Sequence, residues 1–345
     1  MPGGDRLAAE LEVGRDTVEA ALKRLEEEGL LVNQGRRRGR RISISSDARG
    51  VPQIRVAILV GENDERKLDY VLEVQHELVE AGQRAFFAAQ SMAQLGMDLK
   101  RIARMVKQTE ADAWVVTAGP REVLEWFAGQ GAPSFALFGR RRGLPIAGVG
   151  PDKPPAIAAA ARALISLGHR RIVLLARPRR RLPEPGASER AFLDELAAHG
   201  IRPGPYHLPD WEESITGFHE RLDSLFRLTP PTALIVDEAT FYVAALQFCA
   251  NRGLRVPQDV SLVCTDADPT FAWCRPPVAH IHWDSGPVVR RILRWTANVS
   301  RGKADIRQTL TPAEFIPGGT IGPMKDPRQA ECSLSRDTRG LGKEK

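Results

Sequence analysis

The sequence predicts an α/β protein: two doubly wound lobes built on parallel sheets, preceded by a small helix-and-hairpin module. Three observations carry this. Between residues 54 and 264, apolar runs of five to seven residues alternate with helix-like stretches, the pattern of buried parallel strands and their crossover helices. The first 44 residues differ in texture, with 3.6-residue apolar periodicity leading into an arginine-rich turn. Between the two lies "SSDARGVPQ" (45–53), a polar stretch with Gly and Pro that reads as a linker.

In the N-terminal module, Leu7, Ala8 and Leu11 mark a short helix from about Asp5 to Glu12, and Glu12-Val13-Gly14 forms a tight connection. Val18, Ala21, Leu22 and Leu25 then make one apolar stripe, with Asp16 and Thr17 in the first turn and Gly29 at the stop. Two helices so joined form a helix-turn-helix pattern. Leu30 to Val32 reads as a strand, Asn33 to Gly39 as a turn and Arg40 to Ile44 as the returning strand, which makes a wing. Its arginines, Arg36, Arg37, Arg38, Arg40 and Arg41, suit phosphates or a minor groove, whereas Glu26, Glu27 and Glu28 end the helix away from any groove.

In the large region the strand-like runs are 54–60, 84–89, 113–118, 134–138, 171–176, 233–237 and 260–264. The helix-like stretches lie near 66–82, 98–109, 120–129, 154–168, 188–199, 213–227, 239–253 and 285–300. Folds of this kind bind ligands outside the carboxyl ends of their strands. The loop "GENDERK" (61–67) therefore borders the expected cleft, with no residue singled out within it. The basic loops "FGRRRG" (138–143) and "RPRRRLPEP" (177–185) read as solvated surface, with a phosphate-bearing effector as the alternative. The tail 323–345 lacks apolar periodicity and is expected to be disordered.

Composition narrows the function classes. The chain has 345 residues, 43% of them hydrophobic, enough for a large core; its net charge of +6 is mild, so the clustering of charge matters more than its total. No run of 18 apolar residues is present, and "MPGGDRLAAELE" lacks the apolar segment of a signal peptide, so a cytoplasmic protein without membrane attachment is expected. Cys249, Cys264, Cys274 and Cys332 show no metal-ligand spacing; no metal, disulfide or cofactor is expected, and Cys249 and Cys264 read as reduced core residues. No nucleophile elbow, P-loop or dinucleotide fingerprint occurs, so an enzyme is disfavoured.

"RLAAELEVGRDTVEAALKRLEEEGLL" and the wing "GRRRGRR" resemble the DNA-binding domain of the GntR family. The resemblance implies DNA contacts from Arg6, Arg15, Asp16, Thr17, Arg36, Arg37, Arg38 and Arg40, with Arg15 opening the recognition helix. The chain departs from that pattern at Asp5, Gly14 and Glu19, and the family's first helix has no counterpart. A truncated winged helix-turn-helix over 1–44 is thus expected, from a misassigned start or a real truncation.

"AARALISLGHRRIVLLA", "PTALIVDEATFYVAALQFCANRGLRVPQDVSLVCTDAD" and "RPPVAHIHWDSGPVVRRIL" resemble the LacI/GalR regulators, whose sensor is a two-lobed periplasmic-binding-protein-like domain with doubly wound parallel sheets. The resemblance covers about 54–322. It implies an effector, a sugar or sugar derivative, contacted by Asp266, by Asp237 or Glu238, and by Trp283, with Trp273 and Arg190 as further candidates. The family's arginine before the Gly-Phe pair is replaced by Ser188 ahead of Ala191-Phe192, which points away from an ordinary hexose. Asp152 and His169 read as supporting residues, and Gly168 as a helix C-terminal turn. The implied function is a DNA-binding transcription regulator, homodimeric on a palindromic operator. The alternative is an effector-binding protein that has lost DNA binding through N-terminal truncation.

Overall fold

The computed structural model describes residues 7–8, 13–27, 31–33, 40–42, 52–181 and 184–324. Arg6, Arg36, Arg37, Arg38, Cys332 and the tail from residue 325 lie outside the described residues, as do most of the expected linker and turn.

In the N-terminal module, Leu7 and Ala8 are helical and helix α1 spans Arg15–Glu27. Val18 and Leu22 are buried and pack with Leu7, Ala8 and Leu25. Ala21, expected on the same stripe, is exposed instead, because the contact made by Leu7 and Ala8 covers only a narrow seam of α1. Strands β1 (Leu31–Asn33) and β2 (Arg40–Ile42) pair antiparallel, with Leu31 opposite Ile42.

The large region forms two lobes. Lobe 1 holds β3 (Arg55–Leu59), a 3₁₀ turn (Asn63–Lys67), α2 (Asp69–Glu80), β4 (Arg84–Phe87), α3 (Leu99–Gln108), β5 (Ala113–Thr117), α4 (Arg121–Ala128), β6 (Ser134–Leu137) and β7 (Ala147–Pro151). Lobe 2 follows with α5 (Lys153–Ser166), β8 (Ile172–Leu175), α6 (Pro178–Arg181), α7 (Ala187–Ala198), α8 (Ile215–Leu228), β9 (Ala233–Val236), α9 (Ala239–Asn251), β10 (Ser261–Cys264) and β11 (Ala279–Trp283). The chain then returns to lobe 1 for α10 (Ser285–Ser300) and β12 (Gln308–Thr311), and ends its described course in lobe 2 with β13 (Ala313–Ile316).

The lobe 1 sheet runs β12-β7-β6-β5-β3-β4, all parallel. The lobe 2 sheet runs β13-β11-β10-β9-β8, parallel except for β13. Three crossovers join the lobes, at 151–153, 283–285 and 311–313, and all enter or leave strands on one side of each sheet. That side is the hinge. Strands β3 and β8 lie toward the other side.

Apolar residues cover both faces of each sheet. In lobe 1, Val56, Ile58, Val115 and Phe135 pack on α2 and α10 through Val74, Leu78, Ile292 and Trp295, while Ala57, Leu59 and Trp114 pack on α3 and α4. In lobe 2, Ile172, Leu174 and Ile235 meet α5 and α7, and Val173, Leu234 and Leu262 meet α8 and α9. Alternate residues of one strand thus feed opposite cores, which is why these strands read as unbroken apolar runs.

The expected helices are present, shifted by a few residues at their ends; that near 66–82 is split into the 3₁₀ turn and α2. Strands β7, β11, β12 and β13 and the short α6 were not expected. β7 reads "AGVGP" because Arg141 lies across it: a Cβ on Gly148 would sit 2.4 Å from Arg141 Cδ. Gly168 has φ +92°, as a helix C-terminal turn requires. His169 is buried, its Nε2 2.9 Å from the carbonyl of Gly322 and 3.1 Å from Ser261 Oγ. Pro323 and Met324, placed in a disordered tail by the sequence, are part of the fold: the Met324 N–H donates to Leu167 O. Cys249 and Cys264 are fully buried free thiols. No described helix is long and apolar enough to cross a membrane.

Candidate functional site

Each parallel strand ends at the cleft. The strands of lobe 2 release Arg177 after β8, Asp237 and Glu238 after β9, Thr265 and Asp266 after β10, and Trp283 at the end of β11. Lobe 1 contributes Glu62 and Glu65 after β3, Thr117 at the end of β5, and Phe138 and Arg140 after β6.

Asp237 and Asp266 come from neighbouring strands and share one hydroxyl: Thr265 Oγ1 lies 2.7 Å from Asp237 Oδ1 and 3.4 Å from Asp266 Oδ2. Asp266 also pairs with Lys153 at 2.5 Å, and Trp283 Nε1 approaches it at 3.5 Å. Lys153 opens α5, directly after the first crossover, so this pair sits at the hinge end. Trp283 packs edge-on against Tyr70 (5.5 Å between centroids) and Phe138 (5.3 Å), both from lobe 1, and those two rings meet at 5.3 Å. Three rings in T-shaped contact form a stiff floor spanning the lobes.

The far end is ionic. Arg177 lies 2.9 Å from Glu62 Oε1 of lobe 1, 3.0 Å from Glu213 Oε2 and 3.6 Å from Glu238 Oε1. Its side chain is only 12% exposed and its guanidinium lies over the Phe241 ring at 5.7 Å. Trp211 backs Phe241 at 5.4 Å and donates its Nε1–H to Ala176 O. Across the cleft, Arg140 Nη1 donates to Glu184 O at 2.7 Å.

Backbone strain concentrates at this rim. Of the four non-glycine residues with positive φ among those described, Ala118 (47°), Phe138 (63°) and Glu238 (56°) follow β5, β6 and β9. Glu238, with ψ 148°, is near a region that only glycine adopts freely. Held there, it starts α9 while its carboxylate reaches toward Arg177.

Glu189, in the first turn of α7, is buried, and burial pushes its carboxyl up; the charge of Asp237 adds to this and those of Arg140 and Arg181 oppose it. Burial drives the Cys264 thiol upward as well.

Of the effector residues expected from the sequence, Asp237, Asp266 and Trp283 come together through the Thr265 and Asp266 contacts, and Glu238 adjoins them. Arg190 is exposed and donates to Pro185 O at 2.7 Å, away from this group, because it lies on the outer face of the first turn of α7 while Glu189 lies on the inner face. Trp273 is 89% exposed on the 3₁₀ turn Pro269–Trp273. Asp152 precedes α5 without bonding its N–H groups through the side chain; its backbone N–H donates to Thr311 O in the hinge. Arg15, Asp16 and Thr17 are exposed in the first turn of α1, and Arg40 lies opposite Asn33 on β2.

Arg142 is exposed as expected of the arginine loops, but Arg141, Arg177 and Arg181 are not solvated surface. Arg177 is the cleft residue just described. Arg181 is buried, donates to Leu208 O and Pro209 O, and pairs with Asp210. Arg141 is also buried, and burial lowers its pKa to about 10. Runs of arginine gave no sign of this, because the carbonyls and carboxylates that receive them lie far away in sequence. No group of three or more metal-ligating side chains occurs among the described residues.

The sequence matches a periplasmic binding protein-like domain over residues 161–321. An uncharacterized HTH-type transcriptional regulator in the aml 5′ region of Streptomyces limosus is 30% identical over 216 residues, 59% of this chain and 61% of that protein. The lactose operon repressor of Escherichia coli K12 is 27% identical over 155 residues, 44% of this chain and 42% of the repressor. The chain therefore aligns with less than two thirds of the length of either relative. Among solved structures, a complex of the transcriptional regulator CelR with cellobiose covers 93% of this chain and 100% of its own, with TM-score 0.65 at 20% identity. A LacI family regulator from Enterococcus faecium with bound ribose covers 79% and 100%, with TM-score 0.64 at 15% identity. At such identities the shared property is the fold. These matches place a periplasmic binding protein-like domain over residues 161–321, in a chain whose sequence relatives are named as a transcriptional regulator and an operon repressor.

Proposed function

We propose that this chain is a DNA-binding transcription regulator controlled by a small effector, a sugar or sugar derivative, held between the two lobes. The observation that carries the proposal is the convergence of Asp237 and Asp266 on Thr265, with Trp283 at the base of the cleft. Ionised carboxylates accept several hydrogen bonds and suit adjacent hydroxyls, and an aromatic ring suits the apolar face of a sugar. Effector contacts are assigned to Asp266, Asp237, Glu238 and Trp283. Binding shifts the lobes only so far as the effector prefers one arrangement over the other.

On the DNA side, the packing of Leu7 and Ala8 on α1, the antiparallel β1-β2 strands and the exposed Arg15, Asp16 and Thr17 support a GntR-type winged helix-turn-helix. The chain then acts as a homodimer on a palindromic operator, with Arg15 and the wing arginines at the duplex. Its relatives are regulators rather than enzymes, and no catalytic role is assigned.

Two measurements test this. Calorimetric titration with a panel of mono- and disaccharides, neutral and derivatised, should find a binder whose affinity falls at least about tenfold in Asp266→Asn, equivalent to roughly 1.4 kcal/mol. Equal affinity in the variant removes Asp266 from the site, and no binder in the panel removes the sugar class. Gel-shift titration on the chain's own promoter should show sequence-selective binding with a steep salt dependence, weakened by roughly 1–3 kcal/mol in Arg15→Ala. Effector binding without selective DNA binding would favour the effector-only alternative.

A further inference from the structure

The three crossovers fix the hinge on the β7, β12, β11 and β13 side of the two sheets. Glu62 follows β3, the fifth of six strands counted from β12; Arg177 follows β8, the fifth of five counted from β13. Their 2.9 Å contact therefore closes the cleft at its mouth, where a given rotation about the hinge separates the lobes most. Arg177 is anchored on its own lobe by Glu213 and Glu238 and by the Phe241 ring, so it is held in place whether or not Glu62 is present.

We propose that Arg177 is a mouth latch: through Glu62 it holds the two lobes closed in the absence of any effector, and opening the cleft requires this ion pair to part. The asymmetry supports the assignment. Glu213 is 5% exposed at its side chain, Arg177 12% and Glu62 34%, so the bond across the lobes is the wettest member of the set and the first to exchange for water. Guanidinium geometry allows one arginine to serve several carboxylates at once, which a lysine in its place would do poorly. An effector entering such a cleft competes with a pre-existing bond, so its apparent affinity is reduced by the fraction of molecules that are latched. The latch rests on the cleft reading used for the proposed regulator, but on neither DNA binding nor the nature of the effector.

The test measures the mouth directly in the full chain. Spin labels at Asn63→Cys and Ile215→Cys, in a Cys274→Ser/Cys332→Ser background, report the distance between the lobes beside the latch without touching it; both positions are exposed. Without effector, the protein with its latch intact should give one narrow, short distance distribution. Glu62→Gln and Arg177→Ala should each shift it to longer, broader distances, and the double variant should open no further than either alone. Arg177→Lys should open it partially. A broad distribution with the latch intact, or a short one that survives Glu62→Gln, overturns the proposal. Glu62 is half-exposed, so Glu62→Gln separates loss of the latch from loss of the fold, which circular dichroism checks on the same samples. Failure here leaves the regulator reading standing, and failure of DNA or sugar binding leaves the latch standing.

Discussion

The two ends of the cleft are built from different materials. At the hinge, Tyr70, Phe138 and Trp283 meet ring against ring, and the chain passes between lobes beside them. At the mouth, one guanidinium stands among three carboxylates from two lobes. Ring packing is insensitive to salt and falls steeply with small separations, whereas a half-exposed ion pair is weak, screened and replaceable by water. A molecule that must keep its hinge and release its mouth gains from this division. It also follows that stability and closure can be perturbed separately.

The largest loss should come from an ion pair that behaves unlike the mouth. Arg291 and Asp305 lie 2.8 Å apart in lobe 1 with side chains 7% and 3% exposed, and Asp305 also accepts from Asn298. Asp305→Ala strands a buried guanidinium and should lower the unfolding free energy by roughly 3–5 kcal/mol in urea titrations. If it does not, burial is not what separates strong ion pairs from weak ones here. Trp283→Ala should lose about 2–3 kcal/mol, below the value for a fully buried aromatic because the ring is half-exposed. It should also loosen the distance between lobes at the hinge; an unchanged hinge would mean the crossovers suffice without the rings.

Acid should act on the fold through His169. Burial holds the pKa of His169 below its ordinary 6.5, so the unfolded chain takes up the proton first. Stability from this residue is complete above about pH 6.5 and is lost as the pH falls through that value toward the lower folded pKa. Thermal midpoints should decline from pH 7 to 5, and His169→Gln, starting lower, should decline less. Equal slopes would assign the acid sensitivity elsewhere. The smallest thermodynamic effect belongs to Glu62→Gln, less than about 1 kcal/mol by urea titration, although it should have the largest effect on the spacing at the mouth. A loss of several kcal/mol would make the latch a structural bond.

The same division explains what the sequence made legible. β3, β5, β6, β8, β9 and β10 carry unbroken apolar runs of three or more residues because helices cover both sides, and they were readable as strands. β7 was not, since its glycines answer to Arg141, and β11 was not, since "AHIHW" places polar imidazoles between buried residues. Asp237, Asp266 and Trp283 are expected from the family resemblance, and the structure brings them together through Thr265 and Asp266. Arg177, Glu62 and Glu213 were not: the sequence marks the loops of Arg177 and Glu62 without singling out either residue, and their pairing exists only once two lobes and a distant loop converge.

The late return of the chain to lobe 1 also bears on how the molecule is made. Until α10 and β12 have emerged, β7 is a bare sheet edge and the space filled by Trp295 against Phe135 is empty. Lobe 1 begins first on the ribosome yet can close its core only after all the parallel strands of lobe 2 have been synthesised. A nascent chain therefore carries an open edge strand throughout the synthesis of the parallel strands of lobe 2, and that interval, rather than the finished protein, is where pairing with a neighbouring chain is most exposed.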